Sequence, residues 1–95
     1  MNAKKRSKLS SLSHHLDPLV FIGRGGVNDG VINSIEKNIE KYELIKVKFN
    51  DHKENKKELS KKISETLDCE VVKIIGHTLI LYKENSDSEK RSIKV

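Results

Sequence analysis

The residues best placed to do chemistry in this chain stand between an apolar run and a helix-like pattern: Gly23-Arg24-Gly25-Gly26 follows Leu19-Val20-Phe21-Ile22 and precedes Asn28-Asp29. A strand that ends in glycines and gives way to a helix start has the layout of an anion site. Glycine lets main-chain amides approach an oxyanion with no side chain in the way. The first-turn N–H groups of a helix lack helical partners and sit at the positive end of its dipole. Arg24 adds a permanent charge with a planar fork of donors.

The spacing argues against two common phosphate loops. A nucleotide P-loop needs lysine and then Ser or Thr after its glycines; Val27 and Asn28 occupy that stretch. Gly23 and Gly25 match the first two glycines of a dinucleotide fingerprint, but Asn28 stands where the third belongs. What remains is a G-x-x-G turn with a basic interior, the kind of loop that clamps a single-stranded nucleic-acid backbone in KH-type modules. An ordinary tight strand-to-helix turn has the same four residues.

No other constellation converges on catalysis. His14 and His15 are neighbours, so on a helix they diverge by about 100° and make poor joint ligands. His52 reads as a solvated loop residue and His77 as part of a hairpin turn. Cys69, the single cysteine, has no basic activator nearby in sequence and reads as a small structural thiol. Glu36 and Glu40 share a helix face with lysines that can pair with them. The expectation is a protein that is not an enzyme and uses neither metal nor cofactor.

The elements that must position the glycine turn follow from periodicity. Leu9, Leu12 and Leu16 give one apolar face of a helix over about residues 4 to 16, which Pro18 ends. Residues 19–22 form a first strand. Val31, Ile32, Ile35, Ile39 and Tyr42 make a helical stripe over about residues 28 to 42, with Asn28 as its N-cap and Asp29 at the dipole's positive end. Residues 44–49 alternate, with Ile45, Val47 and Phe49 turned one way and Leu44, Lys46 and Lys48 the other. A third helix covers about residues 54–67 through Leu59, Ile63 and Leu67. Two more strands meet at Gly76-His77, a pair suited to a two-residue type II′ turn. The order α-β-α-β-α-β-β implies a compact two-layer α/β domain with a four-stranded mixed sheet and both crossover helices on one face. Strand order is not readable from the pattern. The domain spans residues 1–83, and the polar, patternless residues 84–95 read as a flexible tail.

A chain of 95 residues suggests one domain. It has no apolar stretch approaching the roughly 18 residues of a membrane helix. One cysteine permits no internal disulfide, as befits a reducing, cytoplasmic setting. The basic, Ser-rich start could pass for a transit peptide, but the same residues read well as a first helix, which is the preferred reading. Charge is concentrated: residues 1–26 carry Lys4, Lys5, Arg6, Lys8 and Arg24 against Asp17, and residues 46–62 carry seven lysines against Asp51, Glu54 and Glu58. Two basic blocks on a near-neutral remainder suggest a polyanion partner, or a merely soluble surface.

Over about residues 9–83 the chain resembles the CRM domain (chloroplast RNA splicing and ribosome maturation), most closely its small single-domain bacterial members. The resemblance lies in His15-Leu16-x-Pro18, Ile22-Gly23-Arg24-x-Gly26, Glu43-Leu44-Ile45-Lys46-Val47-Lys48, and Ile75-Gly76 followed by Leu81-Tyr82-Lys83. It implies a fold similar to the C-terminal domain of translation initiation factor three. It also implies RNA binding at Gly23, Arg24, Gly25 and Gly26, and association with ribosomal RNA in large-subunit precursors. Arg24 stands where the family often has Lys, Val27-Asn28 where it has Leu-Thr, and Tyr42 where it has histidine.

The site expected from all this is Gly23, Arg24, Gly25, Gly26 and Asn28. Lys4, Lys5, Arg6 and Lys8 extend the positive surface from the glycine turn, and the third-helix lysines are a second basic surface. With four aromatics, most at core positions, base stacking across the sheet is not expected. The partner is RNA, with ribosomal proteins as possible neighbours, and the chain acts as a monomer without a membrane. The competing function is a protein-binding adaptor on ribosomal or assembly proteins.

Overall fold

The computed structural model describes residues 1–91 and 93. Helix α1 (Ala3–Ser13) leads to strand β1 (Val20–Ile22), α2 (Asp29–Tyr42), β2 (Leu44–Phe49), α3 (Lys56–Leu67), β3 (Glu70–Ile75) and β4 (Thr78–Tyr82). The sheet order is β1-β2-β4-β3. Strands β1 and β2 are parallel, with Ile22 beside Phe49. The β2–β4 and β3–β4 pairs are antiparallel. This is the expected α/β domain with its mixed four-stranded sheet, and β4 lies between β2 and β3.

The main core forms where alternation along the strands meets the stripes of α2 and α3. Val20 and Ile22, then Ile45, Val47 and Phe49, then Leu79 and Leu81 turn to one face and pack with Ile35, Ile39, Ile63 and Leu67. Both crossover helices therefore cover the same face. The hairpin between β3 and β4 turns at Gly76, whose φ of +58° is the left-handed value a II′ turn needs at its first central residue.

The other face is partly covered, by α1, which adds a third layer to the two expected. Leu9 packs there with Leu44, Val72, Ile80 and Tyr82. The face that α1 presents is set by Leu9 and Ser13, both fully buried, while Leu12 and Leu16 stay exposed. The reason is geometric: residues four apart share a helix face, and α1 stops at Ser13, so Leu16 lies beyond it. Leu44 is buried by the same packing, contrary to its expected placement on an open face. A register shift between Val71 and Lys73 lets Val72 reach this second cluster, whereas Val71 and Ile74 pack on the main core.

Tyr42 also departs from expectation. It is exposed, with the Lys41 ammonium 5.2 Å from its ring centroid. The described part of the C-terminal segment is tied down rather than free. The Asn85 and Ile93 amides donate to the Glu43 carboxylate at 2.8 and 3.2 Å, and Ile93 packs against the second cluster. Hydrogen bonding to a buried carboxylate leaves no periodic trace in sequence, which is why the segment reads as patternless.

Candidate nucleic-acid interface

The glycine turn sits where the parallel strands end. The Gly26 amide donates to the Gly23 carbonyl at 3.0 Å, closing a four-residue turn. Ile22 also anchors the neighbouring loop, its carbonyl accepting from the Asn50 and Asp51 amides at 2.9 and 3.1 Å. Gly23, Arg24 and Gly25 are exposed, and Gly26 is buried beneath them. Val27 then packs against the main core, so the loop's far end is fixed while its crest stands free.

Helix α2 starts as its sequence dictates. The Asn28 side-chain oxygen accepts from the Val31 amide at 2.9 Å, with Asn28 in extended backbone. This is the N-cap arrangement. Among the described residues, the amides of Arg24 and Gly25 donate to no protein acceptor. The corner is exposed, with the Asn28 side chain close beside Gly25.

His52 is the residue that sequence reasoning missed. Its Nε2 lies 2.8 Å from the Arg24 carbonyl oxygen, a hydrogen bond in which the ring nitrogen donates. The ring lies 3.5 Å from where a Cβ on Gly26 would sit, and Gly26 has φ +67°. Any larger residue at 26 would strain the backbone, although its Cβ would meet the imidazole only at ordinary contact distance. His52 itself adopts φ +54°, which turns the chain into a short 3-10 segment, Lys53–Asn55, ahead of α3. Nothing in its neighbours announces this buttress, because the partner carbonyl is far away in sequence.

The same end of the sheet gathers further positive charge. The Lys56 ammonium donates to the Gly76 carbonyl in the β3–β4 turn, and the His77 carbonyl accepts from the Phe49 amide at 2.8 Å. Loss of solvation, and then the charges of Lys56, Lys53 and Lys48, hold the His77 imidazole below its ordinary value. Lysines from β2 and from the start of α3 thus gather around the β3–β4 turn at this end of the sheet, with acidic Asp51 and Glu54 in the intervening loop.

Lys4, Lys5, Arg6 and Lys8 are placed elsewhere. Lys5 lies 5.3 Å from the Tyr82 ring centroid, and the Met1 amino group is 4.0 Å from Glu70. Tyr82 and Glu70 pair at the opposite end of the strands from Ile22 and Phe49. Five residue steps of β2 separate the ends, roughly 17 Å at the rise of a strand. The four N-terminal cations therefore do not continue the surface of the loop. They ride on α1, whose position over β2, β4 and β3 is a tertiary fact that spacing along the chain does not carry.

Cys69 is buried, and its thiol is pushed up to about 11, first by burial. A thiol so shifted is a poor nucleophile. Among the described residues, no three His, Cys, Asp or Glu side chains group in a way that could hold a metal ion, and no helix is long and apolar enough to cross a membrane.

A family model for the CRS1 / YhbY (CRM) domain matches residues 1–83. The chain belongs to the CRM domain family. Among similar proteins, the "Probable RNA-binding protein YqeI" of Bacillus subtilis is 34% identical, covering 95% of each chain. A Haemophilus influenzae protein named "RNA-binding protein" is 33% identical over 94% of this chain and 91% of its own. A Staphylococcus aureus protein solved in solution superposes with a TM-score of 0.80 at 34% identity, covering 99% of both chains. The three-helix, four-strand architecture is thus shared with that protein, and the glycine turn occupies the β1–α2 junction of this chain.

Proposed function

We propose that this CRM domain is an RNA-binding protein, not an enzyme, which holds a ribose-phosphate backbone at the Gly23–Gly26 turn and serves in the assembly of the large ribosomal subunit. The observation that carries the reading is the open corner at the mouth of α2. The amides of Arg24 and Gly25, which have no protein acceptor, belong to exposed residues beside the capped start of α2. A Cβ at Gly23 would meet no protein atom within 4 Å. A requirement for glycine there would come from whatever approaches from outside.

In this mechanism, His52 fixes the loop by its bond to the Arg24 carbonyl. The amides of Arg24 and Gly25 then donate to phosphate oxygens, and the Arg24 fork engages a neighbouring phosphate or a base edge. Lys48, Lys53 and Lys56 supply a surrounding positive field. Lys4, Lys5, Arg6 and Lys8 form a separate contact for a folded RNA long enough to reach the other end of the sheet. The names of the relatives support an RNA partner, and the resemblance to the family's ribosome-associated bacterial members is what favours ribosomal RNA. The domain works as a cytoplasmic monomer.

Titration of structured ribosomal RNA at several salt concentrations tests this. Phosphate contacts release counterions, so affinity should fall steeply with salt and discriminate little among sequences. A flat salt response contradicts the reading. The adaptor alternative is separated by nuclease: an RNA-held domain leaves preribosomal particles when RNA is digested, and an adaptor keeps its protein partner.

A further inference from the structure

The α1 face of the sheet is only half covered, and its open half has an unusual composition. The top row across the four strands is Phe21, Lys48, Thr78 and Ile75; below it, Lys46 and Lys73 flank Ile80. Phe21 is 52% exposed, and Ile75 and Leu19 are each 45% exposed. Pro18, Lys46, Ile75, Thr78 and Ile80 line a shallow depression of about 190 Å³ here. None of these positions is acidic.

We infer that this open half-face is a base-stacking platform: unpaired RNA bases next to the strand held at Gly23–Gly26 lie on Phe21, while Lys46 and Lys48 hold their phosphates. Three features favour a single strand of RNA as the occupant. An exposed aromatic set among cations is the combination by which proteins hold single strands, because every base offers a π-face and every nucleotide a charge. Lysine is depleted from the centre of protein–protein contacts, whereas Lys48 pairs directly beside Phe21. The face is also continuous with the loop, since only Ile22 separates Phe21 from Gly23.

The platform rests on the RNA-binding reading above, so the test carries a loop variant in parallel. Binding of a short oligoadenylate is measured for the wild type, Phe21→Ala, Phe21→Leu, Phe21→Tyr and Arg24→Ala, each first shown to be folded by thermal melting. The platform requires that Phe21→Ala and Phe21→Leu both lose about tenfold in affinity, and that Phe21→Tyr binds as the wild type does. The chain contains no tryptophan, so Phe21→Trp supplies a single indole whose fluorescence a stacked base should quench. If Phe21→Ala binds normally while Arg24→Ala binds weakly, the platform is overturned and the loop stands. If neither substitution alters binding, or the oligoadenylate does not bind at all, both readings are overturned. If Phe21→Leu retains affinity, no base stacks on the ring and the platform is overturned; if Phe21→Ala loses only a protein partner from cell extract, the face is a protein-docking surface and the platform is likewise overturned.

Discussion

The two faces of the sheet are built from alternate residues of the same strands, yet they are used differently. Along β2, Ile45, Val47 and Phe49 enter a core closed by two helices. Leu44, Lys46 and Lys48 enter a face closed at one end by a single helix and open at the other. Strand periodicity of two makes this division possible: neighbouring residues can serve stability and recognition without competing for the same space. The closed face holds the strands in register, and the register sets the glycine turn at the end of β1. The open face keeps charge and one aromatic near that turn.

Substitutions that treat the faces as equivalent should break this comparison. The largest effect is expected at Phe49, which is fully buried; Phe49→Ala should cost about 3–5 kcal/mol, much of a small domain's margin, as read by urea unfolding. Leu9→Ala removes the anchor of α1 from a smaller cluster beside solvent, and about 2–3 kcal/mol is expected because such a site collapses more readily. A loss equal to that of Phe49→Ala would show that the second face carries as much stability as the first. Gly26→Ala should cost about 1–2 kcal/mol, because residue 26 has a left-handed backbone, φ +67°, that alanine adopts only with strain. It should also weaken RNA binding, because the loop is displaced. Phe21→Ala should alter stability by less than about 0.5 kcal/mol. A larger loss would mean that Phe21 belongs to the fold and not to recognition.

Much of the closed face was legible in the sequence. The stripe of α2, the alternation of β2 and the Gly76-His77 turn are each local patterns, and the structure contains them at those positions. The site was half legible. Gly23 to Gly26 and the Asn28 cap announce themselves by residue type. The His52 support does not, because it joins residues from different loops. The placement of Lys4, Lys5, Arg6 and Lys8 away from the loop, the burial of Leu44 and the tethering of Asn85 all depend on where α1 and the C-terminal segment dock. Periodicity reports which residues share a face and leaves open which element will cover it. Phe21 shows the limit most clearly: an aromatic in an apolar strand reads as core, and alternation on an edge strand turns it outward.

The most direct test of the central claim is the salt dependence of RNA affinity in Arg24→Ala beside the wild type, with folding checked by thermal melting. If the open corner at α2 grips phosphate, the variant should bind more weakly at low salt, and its log–log salt slope should be shallower by about 0.7–0.9 for each phosphate that the guanidinium had neutralised. A folded variant with unchanged affinity and unchanged slope would place the RNA somewhere other than the glycine turn.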